Sequence, residues 1–156
     1  MEIIAIYDEA YQEDFQWMRW YPHFKIHTVN SVAMINSENK RDQILGSLYQ
    51  ILKDRKQKEE ESKKESTFLP HFLFLIDEPK WIMDHSIMEY LEKEGYNLGF
   101  SIIYTSHLRA NLPENIGTIA MLKNSEDGLL LIDEREEKQE NFRLHNMQEI
   151  PLEWLG

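Results

Sequence analysis

The chain has no cysteine, so disulfide bridges and thiol chemistry are excluded. Glycine is scarce. The six are Gly46, Gly95, Gly99, Gly117, Gly128 and Gly156, and none precedes a lysine, so the sequence holds no G-x-x-x-x-G-K-S/T phosphate loop. No apolar run approaches the ~18–20 residues that a membrane-spanning helix requires, and no signal-peptide pattern opens the chain. Any membrane anchor is expected outside these residues. Positive charge is also short. With 17 Lys and Arg against 28 Asp and Glu, the net charge is -11. Such a field repels phosphate backbones and argues against nucleic acid as a direct partner. No G-x-S-x-G elbow is present. The six histidines fall in no H-E-x-x-H or comparable ligand spacing.

What is present fits a globular α/β protein. At 156 residues, with 42% apolar and 29% charged side chains, the expectation is one domain, residues 1–156, burying about two thirds of its unfolded surface. Glu2 to Tyr7 reads as a central strand. A strand with nothing before it suggests a fragment of a longer chain. Tyr11, Phe15 and Met18 stand at i, i+4 and i+7, one apolar helix face ended by Pro22. Lys25 to Val29 alternates and reads as a short extended edge. Ser37 is placed to cap a long helix from Glu38, with Ile44, Leu45, Leu48, Ile51 and Leu52 as its buried stripe. The following run KDRKQKEEESKKES has no apolar residue and nothing to bury, so residues 53–67 read as a charged helix end grading into a flexible linker.

The most informative stretch is His71-Phe72-Leu73-Phe74-Leu75-Ile76-Asp77-Glu78. Five apolar residues followed by two carboxylates describe a buried parallel strand that delivers acids to a sheet edge, where open α/β sheets bind ligands. After it, Pro79 opens a helical segment whose inner face is Trp81, Ile82, Ile87, Met88 and Leu91. Leu98 to Ser106 is a second apolar strand. Thr118 to Leu122 and Leu129 to Ile132 suggest an antiparallel hairpin at one edge. Arg135 to Glu140 reads as a charged turn, Asn141 to Leu144 as a further edge strand, and Trp154 and Leu155 as packing a terminal segment down. Strands alternating with helices predict a three-layer α/β fold: a mostly parallel sheet, flanking helices and an antiparallel edge hairpin.

Two sets of residues could carry chemistry. A strand-end aspartate can hold Mg²⁺ and a neighbouring glutamate can orient an attacking water, so Asp77 and Glu78 are the catalytic-type candidates, with Asp77 a metal ligand only if a magnesium nucleotide binds. Acids that end a strand and open a helix need no ligand, however, and that plainer account covers both. Thr105, Ser106 and His107 follow the next strand and should stand beside them, either sensing a γ-phosphate or capping a loop. Without a cationic cradle, the acids should repel a triphosphate. Trp17, Trp20 and Tyr21 crowd one segment and are candidates for contact with a neighbouring domain.

Taken together, several segments are similar to a known family. EIIAIYDEAYQEDFQWMRWYPHF, FLPHFLFLIDEP, NLGFSIIYTS and NLPENIGTI cover much of the chain. With Trp17, Trp20, Pro22 and His23 in place, it resembles the FtsK/SpoIIIE-type ATPase domains of the type VII secretion motor, the EssC/EccC/YukB family. The resemblance is best to the first, degenerate ATPase-like domain. It implies a P-loop NTPase-like fold without its phosphate loop, Walker-B-like positions at Asp77 and Glu78, and no phosphate-binding lysine or arginine here. On that resemblance the chain is a non-catalytic interaction module with no cofactor of its own, Mg-ATP belonging to the parent protein. Its partners would be adjacent motor domains and membrane secretion components at the cytoplasmic face of the cell membrane, in a motor whose relatives form hexamers, without direct membrane insertion. The alternatives are part of a working ATPase whose phosphate loop lies upstream of Met1, or a DNA translocase, which the acidic charge disfavours.

Overall fold

The computed structural model describes residues 1–62, 67–124, 126–132 and 138–144. The chain packs into two compact units, Met1–Pro113 and Glu114–Gly156. The one-domain reading of 1–156 spans both.

The first unit is built on a four-stranded parallel sheet in the order β4-β1-β5-β6, from β1 (Glu2–Ile6), β4 (Met34–Ile35), β5 (Phe72–Asp77) and β6 (Phe100–Thr105). Side chains alternate across it, as the two-residue period of a strand requires. Ile4, Ile6, Phe72, Phe74, Ile76 and Phe100 share one face, because Ile4 pairs with Phe74, Ile6 with Ile76, and Phe72 with Phe100. Against that face pack Ile44, Leu45, Leu48 and Leu52 of α2 (Glu38–Glu61) and, from the segment after β5, Ile82, Ile87, Met88 and Leu91, the last two within α3 (Met88–Leu91). The opposite face carries Ala5 and Tyr7, covered by Phe15, Met18 and Phe24. Tyr7 stacks on Phe15 with ring centroids 4.6 Å apart.

Phe15 and Met18 therefore serve the apolar face that their spacing implies, while Tyr11 is exposed. The segment is not one helix. Two 3-10 turns, Glu9–Tyr11 and Gln16–Trp20, flank the short α1 (Gln12–Phe15). The extended edge is also shorter than expected: β2 (Lys25–Ile26) pairs antiparallel with β3 (Ser31–Val32). Ser37 stands at the N-cap of α2 but makes no side-chain cap hydrogen bond.

Helix α2 continues through Glu61, so most of the charged tract is ordered helix, and residues 63–66 lie outside the described ones. The tract does bury something. Leu48, Leu52 and Arg55 form one i, i+4, i+7 stripe, and Arg55 is only 6% exposed. Its guanidinium donates to the carbonyls of Leu98 (2.9 Å), Gly99 (3.3 Å) and Pro70 (2.7 Å) and lies over the Phe72 ring at 4.6 Å. Next to it, Lys56 joins Glu59 and Glu94 at 2.9 and 2.8 Å.

In the second unit the expected hairpin forms between β7 (Thr118–Leu122) and β8 (Asp127–Ile132), and β9 (Lys138–Arg143) adds to β8. These three strands make a separate antiparallel sheet. Lys138 to Glu140, read as part of a turn, are strand because each pairs across β8. Phe142 lies across Gly128, where a Cβ would collide with its ring. Trp154 and Leu155 lie outside the described residues. No described helix is long and apolar enough to cross a membrane.

Candidate functional site

The order β4-β1-β5-β6 places β1 between a strand reached by one crossover and strands reached by others. The segment after β1 covers one sheet face, and the segments after β4 and β5 cover the other. The chain thus leaves β1 and β5 towards opposite faces, and the carboxyl ends of these two strands flank the place where open α/β sheets hold ligands. Asp8 stands after β1 and accepts the Ala10 amide at 2.9 Å, capping its turn. Asp77 and Glu78 stand at the end of β5.

Parallel pairing of β5 with β6 sets Asp77 opposite Thr105, and the ladder runs one residue further through Glu78 N–H donating to the Thr105 carbonyl at 3.0 Å. Asp77, Glu78, Thr105, Ser106 and His107 are thereby brought together. The Thr105 hydroxyl donates to Asp77 Oδ1 at 2.7 Å. The Ser106 hydroxyl lies 3.1 Å from Glu78 Oε2 and 3.3 Å from Oε1, and the His107 amide donates to Oε1 at 3.1 Å. Asn111, which the sequence did not single out, adds its side-chain amide to Oε2 at 3.4 Å. Its signal was absent because it stands 33 residues from its partner and belongs to no spacing pattern.

Glu78 adopts φ 56° and ψ 100°, a left-sided conformation that is uncommon outside glycine and costs on the order of 1–3 kcal/mol. The strand must turn sharply at that residue to enter Pro79–Trp81, and the turn brings the carboxylate under the 106–111 loop. The His107 amide foremost holds the Glu78 carboxyl below the ordinary carboxylate range; burial, the next largest effect, opposes it, and the Ser106 and Asn111 donors add to the lowering. A carboxylate with about four lone-pair sites already receives donors on both oxygens, and its basicity is lowered. That is a poor setting for a general base. The arrangement clasps two strand ends together.

A magnesium nucleotide fits these residues badly. The donors recorded on both acids are neutral hydroxyls and amides, no group of three His, Asp or Glu side chains among the described residues could hold a metal ion, and the sequence has no phosphate loop. Metal held by Asp77 would need phosphate oxygens as co-ligands.

The three aromatic candidates lie apart from the acids on the Gln16–Trp20 turn and just after it. Trp17, Trp20 and Tyr21 are 52%, 81% and 54% exposed. The Trp17 indole N–H donates to the Asp14 carbonyl at 2.7 Å and its ring meets Tyr21 edge-on at 5.7 Å, while Arg19 lies over Trp20 at 5.6 Å.

Sequence comparison identifies relatives. The chain is 34% identical over 144 residues to the ESX secretion system protein EccC of Geobacillus thermodenitrificans, covering 92% of this chain and 10% of that protein. It is 34% identical over 148 residues to the ESX secretion system protein YukB of Bacillus subtilis, 95% of this chain and 10% of the relative. Against the type VII secretion system protein EssC of Staphylococcus aureus it is 30% identical over 159 aligned residues, 100% of this chain and 11% of the relative. The chain is homologous to one segment of the EccC, YukB and EssC secretion proteins. It spans about a tenth of the length of these relatives. No protein-family model matches it, and no solved structure does.

Proposed function

We propose that this segment is a non-catalytic, ATPase-like interaction module of a type VII secretion motor, passing contacts between a membrane anchor and active motor domains. Kinship to EccC, YukB and EssC supports the secretion system, and the strand-end chemistry supports the non-catalytic part. The observation that carries it is the Glu78 carboxylate, whose two oxygens receive Ser106, His107 and Asn111. Its partners are the neighbouring motor domains and membrane components of the system, at the cytoplasmic face of the membrane and within a hexameric motor. Calorimetric titration of Mg·ATP into the 156-residue chain tests the reading. Absence of saturable heat up to millimolar nucleotide is expected; saturable binding at micromolar concentration would overturn it.

A second reading has one observation in its favour. Asp77 Oδ1 receives Thr105, while its other carboxylate oxygen makes no recorded hydrogen bond. If a longer natural chain supplies a phosphate loop, that oxygen is placed to reach a metal through water. ATP hydrolysis by the longer polypeptide, abolished by Glu78→Gln, would establish this reading; an inert longer polypeptide would remove it.

A further inference from the structure

One pocket of the first unit sets two cations and several polar side chains beside Val32, Met34 and Ile44. It encloses about 350 Å³ beside β3 and β4, between the helical segment after β1 and the first turns of α2. Arg19 and Lys40 line it, and neither makes an ion pair among the described residues. They are two of several described cations with no ion pair, and what sets them apart is that they share one pocket in a chain of net charge -11.

The hydrogen bonds around the pocket run in one direction. Tyr7 Oη donates to Gln12 Oε1 at 3.0 Å, and the Asn36 side-chain amide donates to the same oxygen at 2.6 Å. Lys40 Nζ donates to Asn36 Oδ1 at 3.0 Å. The acceptors of Gln12 and Asn36 are therefore occupied. What remains for a visitor includes the Gln12 NH₂, further N–H groups of Lys40 and the Arg19 fork, beside the side-chain amides of Gln16 and Gln43 and the Ser31 hydroxyl, which can donate or accept. The Arg19 charge also reaches Tyr7, opposing the upward effect of burial on its hydroxyl, and both residues line the pocket.

We propose that this pocket receives a carboxylate from a partner polypeptide, a glutamate or aspartate side chain, the exposed Trp17, Trp20 and Tyr21 lying on or just after the turn that carries Arg19. Charge complementarity sets the class: the site offers donors and positive charge inside an acidic molecule. An Arg fork fits a carboxylate in bidentate fashion. Two cations are few for a phosphate dianion in so acidic a chain, whereas Trp, Tyr and Arg together are the side chains that dominate polypeptide contacts. The proposal rests on the reading of this chain as an interaction module and names the chemistry of one of its contacts.

The test is an NMR titration of the whole chain with an acetylated, amidated pentapeptide of alternating leucine and glutamate, with its glutamine counterpart, and with inorganic phosphate. The glutamate peptide should shift the Arg19 Nε–H, the Trp20 indole N–H and the Gln12, Gln16 and Gln43 amides saturably. The glutamine peptide, and the Arg19→Gln, Lys40→Gln double variant, should each weaken binding about tenfold or more. Arg19→Lys, which keeps charge but loses the fork, should fall between. Both residues are exposed, so the double variant should keep the parent melting temperature; should it not, Arg19→Lys carries the comparison. Shifts that are absent, scattered, or equal for the two peptides would overturn the proposal, as would phosphate binding at the same resonances more tightly than the glutamate peptide. If the peptide fails while Mg·ATP also stays unbound, the non-catalytic reading survives and only this contact is withdrawn.

Discussion

The backbone amide of His107 donates to Glu78 Oε1 at 3.1 Å, fastening the residue that follows β5 to the loop that follows β6. Glu78→Gln should therefore act first on stability. A neutral amide oxygen is a weaker acceptor, and the new NH₂ would face donors already in place. The expected outcome is a lower thermal midpoint and shifted amide resonances from Ser106 to Asn111, with nucleotide titrations unchanged. The sign of the pH dependence follows from the Glu78 carboxyl being held below its usual range. Its contribution is complete above the ordinary glutamate value of about 4.3 and is lost as pH falls through the folded-state value. The melting difference between parent and Glu78→Gln should thus shrink on going from pH 7 to pH 3. A constant difference across that range would contradict the clasp.

Arg55 fixes the other end of the sheet. Its guanidinium serves the carbonyls of Leu98, Gly99 and Pro70 from a helix whose surrounding residues look fully solvated. Burial pulls its pKa down and the nearby Glu2 opposes this, yet arginine keeps its proton. Arg55→Met retains the apolar stem over Phe72 but removes the donor to the Leu98 and Pro70 carbonyls, while the Gly99 carbonyl keeps the Phe72 amide at 2.9 Å; the expected loss is about 2–4 kcal/mol. Urea denaturation should show a lowered midpoint at unchanged slope. A variant as stable as the parent would mean that water replaces the guanidinium freely.

Gly99 sits at φ 75° beside that same guanidinium. A Cβ there would lie 2.7 Å from the Phe68 carbonyl oxygen and 2.8 Å from an Arg55 nitrogen. Both the backbone conformation and the space exclude a side chain. Gly99→Ala should cost about 1–3 kcal/mol, and more if Arg55 is displaced. Combining it with Arg55→Met should cost less than the sum of the two single changes, because the first change already disturbs the contact the second removes.

Three of the four parallel strands, β1, β5 and β6, were legible because their apolar runs are long and end in polar residues, and the pairing of Asp77 with Thr105 follows from two such strands lying side by side. The two-residue β4 was not read, because so short a run carries no pattern. The β7–β8 hairpin was equally visible from its polar turn. That it joins β9 in a sheet of its own was not, since strand patterns do not say which sheet a hairpin enters. Arg55 was missed because a charged residue in a charged run reads as solvated. The clue was positional: it continues the Leu48 and Leu52 stripe by three residues. Asn111 and the Arg19–Lys40 pocket depend on loops meeting across 21 to 33 residues of chain, which no periodicity records. The segment from Pro79 to Leu91 looked more helical than it is. His85 and Ser86 hold turns in its middle, and α-helix is confined to Met88–Leu91.

His85 gives that segment a dependence on mildly acidic pH. Its Nδ1 accepts the Ile87 amide at 3.1 Å, which requires that nitrogen to be unprotonated. Burial, and then the neighbouring Arg41, lower its pKa from the ordinary value, while Asp42 and Asp84 act weakly the other way. The unfolded chain takes up the proton near the ordinary histidine pKa of about 6.5, and the folded chain only below it. Stability from this group is therefore complete above about pH 6.5 and declines as pH falls through the ordinary value towards the folded-state one. The turn leading into α3 should loosen first, because protonated Nδ1 can no longer accept the Ile87 amide. Long-range ¹⁵N spectra of His85 should show Nδ1 unprotonated at pH 6.5, and amide exchange at Ile87 should quicken between pH 6.5 and pH 5 beyond the intrinsic trend. His85→Ala should remove the pH-dependent part of that exchange. Titration of His85 at or above the free-histidine value would show that the Ile87 hydrogen bond does not hold the ring neutral.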